Sequence, residues 1–249
     1  TDLDNCVIRR VAIDQGVADI MLGVEGQCRI IDGLPGQARI GKPRGILHDP
    51  DGYLWYADRH GHDIRRIDVA TRQILTLFGS PDGETGLVDG SGQDARFSYP
   101  TGVALDNGYL FIADSDNDSI RKIRLDTGNV TTVAGIGVNG NADGPADEAS
   151  FSWPISVTVG PDSNLYVVDP GGHAIRHVDL ADPDLTVSTV AGAVSNSGTA
   201  DGFGTDVRLS EPRGLALGDG ADVWLLDTLN SEVRLLDSHT AEVVTVAGS

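Results

Sequence analysis

The stretch ADSDNDSIRKI, residues 113–123, alternates Asp114, Asp116 and Asp118 like the first half of an EF-hand calcium loop. Such a loop needs glycine at its sixth position for a sharp turn and glutamate at its twelfth for bidentate ligation. Here those positions hold Ser119 and Leu125, so the carboxylates need another explanation. Histidines widen the possible chemistry. His60, His62 and Asp63 form one cluster, and His173 follows later. Imidazole and carboxylate together suit zinc or a similar ion. Polar turn composition accounts for the same residues without a metal. No Ser, His and Asp set stands out as a nucleophilic triad, and no glycine-rich phosphate loop is paired with a lysine.

The elements that must position these residues come from a repeat. Pro43, Pro100, Pro154 and Pro212 recur at intervals of 54 to 58 residues. Each is preceded, eleven residues earlier, by Asp-Gly, and three residues earlier by a bulky apolar residue. Downstream, LWYADRHGHDIRRI, LFIADSDNDSIRKI, LYVVDPGGHAIRHV and VWLLDTLNSEVRLL align without a gap, followed by QILTLFG, NVTTVAG, TVSTVAG and EVVTVAG. Every unit reads as four short runs of Val, Ile, Leu and Thr, split by Gly, Asp and Asn. That is strand punctuation. Four strands per unit at a period above 40 point to β-propeller blades.

The unit ARFSYPTGVALDNGYLFIADSDNDSIRKIRLDTGNVTTVAG closely resembles the NHL repeat, in its P-x-G-V-A, its apolar-Ala-Asp run and its N-x-x-I-R-K-I strand. Four full copies and one partial copy cover nearly the whole chain. Ser156 departs from the glycine of P-x-G, and Gly160 and Gly218 from the aspartate after the first strand. The expected fold is all-β: a propeller of four-stranded NHL-type blades, four of them full, with a C-terminal half-blade at the start of the chain. The expected sectors are 1–31 (the half-blade), 32–88, 89–142, 143–200 and 201–249. About four and a half blades do not close a ring. The resemblance implies a six-bladed ring, so the chain is expected to be part of a larger polypeptide or to need a partner to complete its first blade.

Repeats also sort the candidate residues. Asp2, Asp58, Asp114, Asp169 and Asp227 align, as do Arg9, Arg65, Arg121, Arg176 and Arg234. A carboxylate present in every unit is scaffold. It is expected to bind turn amides or to pair with the arginine seven residues on. Function belongs where the units differ. Around the repeat proline they diverge sharply: Lys42, Tyr99, Trp153 and Glu211 before it, Arg44, Thr101, Ile155 and Arg213 after it. These positions enter the innermost strand and should rim the axial mouth. Aromatics and guanidinium groups there suit a small anionic ligand or a peptide carboxylate, while packing between blades is the plainer use of Tyr99 and Trp153. The metal candidates (His60, His62, Asp116, Asp118 and His173) fall on turns of one face. His48 replaces an apolar residue of the other inner strands and is expected as a satisfied buried histidine rather than a ligand.

The expected function is therefore a non-catalytic binding scaffold for a protein, peptide or small ligand. The alternative is a metal-dependent propeller enzyme of lyase or lactonase type. No cofactor is expected, with calcium or zinc left open. The chain carries a net charge of −19, with 37 acidic against 18 basic residues, and its only lysines are Lys42 and Lys122. Such a surface repels nucleic-acid backbones and anionic membranes. No apolar run approaches the roughly 18 residues of a membrane helix. Thr1 opens the chain with no signal-peptide pattern, as expected of a processed or excised chain. Cys6 and Cys28 are the only cysteines. Cys6 falls in the turn between the second and third strands of the first sector, and Cys28 in the connection leaving it. Both lie on one face, so a disulfide is expected, and with it an extracellular or periplasmic setting.

Overall fold

A computed structural model describes every residue except Ser195 and Ser249. The β-branched runs pair as antiparallel sheets. A two-stranded sheet comes first, β1 (Val7–Ala12) and β2 (Val17–Gly23). The second sheet runs β3 (Pro43–His48), β4 (Tyr53–Asp58), β5 (Asp63–Asp68) and β6 (Ile74–Phe78) from inside to outside. In the third, the short β7 (Gly90–Ser91) lies beyond the outer strand of β8 (Pro100–Asp106), β9 (Tyr109–Asp114), β10 (Ser119–Arg124) and β11 (Asn129–Ala134). The fourth comprises β12 (Ser156–Val159), β13 (Leu165–Asp169), β14 (Ala174–Val178) and β15 (Val187–Gly192). In the fifth, β16 (Gly202–Phe203) flanks β17 (Pro212–Leu217), β18 (Asp222–Asp227), β19 (Glu232–Asp237) and β20 (Glu242–Ala247). The fold is a β-propeller of four blades with a half-sheet ahead of them. Beyond the eighteen strands that the repeat predicts, β7 and β16 are the additions. Among the described residues the only helices are five three-residue 3₁₀ turns, and none is long and apolar enough to cross a membrane.

Sheets meet face to face along the chain order. Trp55, Ala57 and Phe78 of one pack on Phe97, Leu110 and Ile112 of the next. Phe111 and Ala113 meet Phe151 and Val167, and Tyr166 and Val168 meet Leu209 and Leu225. The half-sheet contributes Ile8 and Leu22 to a cluster with Ile40 and Tyr56. Glycine after the repeat proline permits the inner strands to approach. A Cβ on Gly45 would strike the Thr101 carbonyl, and one on Gly102 would lie 2.8 Å from the Ser156 Cα.

All five sheets break register at the same place, between Ile8 and Arg9, Ile64 and Arg65, Ile120 and Arg121, Ile175 and Arg176, and Val233 and Arg234. A bulge bends its strand and re-aims the side chain beside it. Here the re-aimed residue is always the recurrent arginine.

Candidate functional site

The recurrent Asp and Arg form a buried network inside each complete sheet. Asp114 accepts hydrogen bonds from the Ser98 amide at 2.7 Å, Asn117 Nδ2 at 2.7 Å and Arg121 Nη1 at 2.9 Å. Arg121 also donates to the Arg96 and Val88 carbonyls and to Asp89. The same pattern recurs at Arg176 with Asp169 and Asp143, and at Arg234 with Asp227 and Asp201. Arg65 pairs with Asp32 at 2.7 Å but stands 3.8 Å from Asp58, which is taken up by the Gly41 and Lys42 amides. The aspartate of each Asp-Gly is thus the arginine's second anion. It also accepts from the outer-strand threonine, Thr76, Thr132, Thr189 or Thr245. The Asp-Gly spacing in the sequence carries that signal, but the pairing reaches across 32 or 33 residues, beyond the local offsets of one turn.

Blade-specific turn residues and mouth residues turn out to be partners. His62, Asp118 and His173 each occupy the left-handed position closing a turn, with φ of 55°, 46° and 51°. Each accepts the amide of the pre-proline residue of the next sector. Tyr99 N–H donates to His62 Nδ1 at 3.1 Å, Trp153 N–H to Asp118 Oδ1 at 2.7 Å, and Glu211 N–H to His173 Nδ1 at 3.1 Å. Tyr99, Trp153 and Glu211 themselves have positive φ, 49°, 62° and 42°. Bulky side chains, and residues before proline, disfavour that region, so the clasp holds a strained backbone in place. Asp116 is exposed and accepts from Trp153 Nε1 at 3.2 Å. His60 is exposed, its amide turned to Asp58. Among the described residues no group of three or more His, Cys, Asp or Glu is arranged to hold a metal.

Burial first, then neighbouring His60, pushes the His62 imidazole below its ordinary value of 6.5. The neutral ring leaves Nδ1 free to accept. Because the folded value lies below the unfolded one, the clasp's contribution is complete above about pH 6.5 and is lost as pH falls through the folded value. Between about pH 7 and pH 5, the thermal midpoint of the native protein should therefore drop further than that of His62→Asn. Parallel curves for the two would remove His62 as a titrating clasp.

The inner strands enclose an axial cavity of about 410 Å³, lined among others by Thr1, Arg44, Thr101, Ser156, Thr158 and Arg213. Thr101 and Ile155 lie on its wall but are themselves buried. Thr101 Oγ1 donates to the Ile155 carbonyl at 2.8 Å, and Ser115 Oγ to the Pro154 carbonyl at 2.7 Å, fastening the second complete blade to the third. Lys42 Nζ stands 3.5 Å from Asp4. Arg213 pairs with Glu211 at 2.8 Å and lies over the Trp153 ring at 5.7 Å. Arg59, which sequence reasoning did not select, lies over Tyr99 at 5.0 Å. Nε of Arg44 and of Arg59 are buried without a hydrogen-bond partner. Burial, with Arg59 and Arg213 close by, pushes the Arg44 guanidinium below the ordinary arginine range.

His48 requires correction. It is not buried: it ends β3 exposed, at a depression it shares with Leu105, Val159 and Leu217. Alignment put it in an apolar slot, but that slot opens at the rim of the axial channel, where Leu217 is also exposed. The disulfide is present, Cys6 to Cys28, with Cα atoms 5.2 Å apart.

No family model matches the chain. It is 25% identical over 274 residues to NHL repeat-containing protein 2 of Bos taurus, covering 97% of this chain and 38% of that protein. It is 30% identical over 139 residues to the chloroplastic protein SUPPRESSOR OF QUENCHING 1 of Arabidopsis thaliana, covering 55% of this chain and 13% of that one. The chain thus spans well under half the length of these relatives. Among solved structures, a gluconolactonase from Xanthomonas campestris superposes with a TM-score of 0.66 at 14% identity, over all of this chain and 71% of that one. At that identity the likeness is one of fold. The chain is a β-propeller. Its repeats and these relatives support the resemblance to the NHL-repeat β-propellers.

Proposed function

We propose that the chain is a non-catalytic binding module whose axial mouth takes the carboxylate of a small ligand or peptide. One observation carries this reading: in a chain of net charge −19, Arg44 and Arg213 line one opening with Arg59 close to Arg44, and Arg44 and Arg59 each keep a buried N–H unpaired. Buried donors without partners cost free energy, and an anion supplies the acceptors. The aromatic rings under Arg59 and Arg213 hold two of these guanidinium groups. The reading needs no cofactor, which elemental analysis of the purified protein tests. The disulfide supports an oxidising compartment, extracellular or periplasmic.

A short peptide with a free C-terminal carboxylate, and the same peptide amidated, provide the functional test. The free acid should bind and change Trp153 fluorescence, more weakly at high salt, and the amide should not. Arg44→Ala with Arg213→Ala should abolish binding while leaving the fold intact by circular dichroism, and Trp153→Ala with Arg213→Ala should do the same. Equal binding of acid and amide, or binding indifferent to these changes, defeats the carboxylate reading.

A further inference from the structure

We propose that the cleft between the second and third complete blades is a binding site for a neutral sugar, separate from the axial mouth. The cleft measures about 430 Å³, within the range of small-ligand sites. It opens at the end of β8 opposite Pro100, away from Arg44 and Arg213. Tyr109, Phe111 and Lys122 form its wall on one blade, and Ser163, Leu180 and Leu185 its wall on the other. On that second wall the repeat is broken. Val178 and Val187, the strand partners that flank the turn between β14 and β15, stand nine positions apart. The equivalent pairs, Ile67 and Ile74, Ile123 and Val130, and Leu236 and Val243, stand seven apart. The longer turn is tied down from within. Asp179 accepts the Ala181 and Asp182 amides, Asp182 accepts the Asp184 amide and the Thr186 hydroxyl, and Asn164 Oδ1 accepts the Leu180 amide at 2.8 Å. Leu185 holds a φ of 51° there, a region that costs a bulky residue free energy. A plain hairpin needs neither the extra length nor the strain, as the other three blades show. What the longer turn adds is a pair of leucines facing Tyr109.

The polar groups of the cleft select the ligand by charge. Lys122 is half-buried, its ammonium 5.4 Å from the centroid of the Tyr109 ring and, among the described residues, without a hydrogen bond or ion pair. Its counterpart in the next blade, His177, has Asp162 at 2.9 Å. Asp106 and Asp162 stand in the same cleft as Lys122. An anion held by Lys122 would face those carboxylates, and a cation held by them would face Lys122. Neutral hydroxyl groups escape the conflict, because each both donates and accepts. Lys122 Nζ and the Tyr109 and Ser163 hydroxyls supply donors. Asp106 takes the Asn107 amide group on Oδ2 and keeps Oδ1 as an acceptor, whereas Asp162 is already filled by His177 and Asn164. Leu180, Leu185 and Tyr109 offer a flat apolar contact beside them. A pyranose has hydroxyls around its rim and C–H groups on its faces, and so meets both kinds of surface at once.

Glucose, galactose, mannose and N-acetylglucosamine, titrated into isotope-labelled protein and followed by amide resonances, provide the test. Benzoate and benzylamine serve as charged rings of similar size. At least one sugar should saturably shift the amides of Lys122, Leu180 and Leu185, while those of Gly45 and Gly102 at the mouth stay still and neither charged ring shifts any of the first three. Lys122→Met keeps the stem over Tyr109 and removes the ammonium, and should weaken the sugar about tenfold or more. Leu185→Gly suits the positive φ, so the turn keeps its fold, and should weaken the sugar by a similar factor through loss of the apolar wall. Circular dichroism should be the same for both variants and the native protein. The proposal is overturned if none of the four sugars shifts these amides, if a charged ring shifts them in their place, or if sugar binding ignores both substitutions. Shifts confined to Gly45 and Gly102 also overturn it, because they put the sugar at the mouth.

Discussion

Arg121→Ala should destabilise the protein by about 3–5 kcal/mol, because it strands the fully buried carboxylate of Asp114 and removes four donated hydrogen bonds. For a chain of this size that is roughly 10 °C in thermal midpoint. The mirror change, Asp114→Ala, should cost somewhat less, about 3 kcal/mol. Arg121 keeps Asp89, whose carboxylate is half exposed and already hydrated, while the Ser98 amide and Asn117 lose their acceptor. Burial pushes the Asp114 carboxyl up to about 6, against the pull of Arg121. With the folded value above the unfolded one, this group favours the folded state most in acid, and that advantage fades as pH rises from about 4 through 6. Asp114→Asn should cost less than Asp114→Ala at pH 7.4, and its deficit against the native protein should deepen in acid, where the native carboxyl gains stability that the amide does not. Thermal melts of the three variants at pH 7.4 and pH 5 decide this; an unchanged midpoint for Arg121→Ala would show that the network carries no stability.

The difference between what the sequence showed and what it hid follows from range. Strands, turns and the scaffold character of Asp114 and Arg121 were legible because each unit repeats them at fixed offsets. Contacts between units were not. The bond from Tyr99 N–H to His62 Nδ1 joins residues in different repeats, and no single unit contains both ends. Stacking the repeats put His62 and Tyr99 in two separate candidate sets, whereas the fold makes them one seam. Arg59 was legible in principle, since its aligned positions hold Ser115, Pro170 and Thr228. Its role was not, because the ring it lies over, Tyr99, belongs to the next unit. His48 failed for a different reason: alignment gives a residue's place in a strand but not what lies over it.

Reduction of the Cys6–Cys28 bond should loosen the half-sheet while leaving the four blades folded. Cys6 stands at the left-handed turn position, φ 55°, that His62, Asp118 and His173 occupy in the next three sectors. Those side chains clasp the following sector through a backbone amide. A half-cystine at this position offers no such acceptor, and the Lys42 amide turns instead to Asp58 Oδ1. The disulfide to Cys28, in the connection that leads toward Pro43, is the covalent counterpart of the missing clasp. It matters more there than a hydrogen bond would, because β1 and β2 bury little besides Val7, Ile8 and Leu22 and leave Val11, Val17 and Ile20 exposed. Closing a loop over the 22-residue separation is worth about 3 kcal/mol in the unfolded-chain account, a large share of what so small an element can muster. In Cys6→Ser with Cys28→Ser, hydrogen exchange at Ile8 and Leu22 should therefore quicken by about two orders of magnitude, since about 3 kcal/mol corresponds to roughly a hundredfold. Exchange at Ile112 and Val167, in the blade cores, should stay as it was. Unchanged protection at Ile8 and Leu22 would mean that the apolar contact with Ile40 and Tyr56 suffices alone. Equal quickening at all four would mean that the half-sheet and blades unfold as one unit.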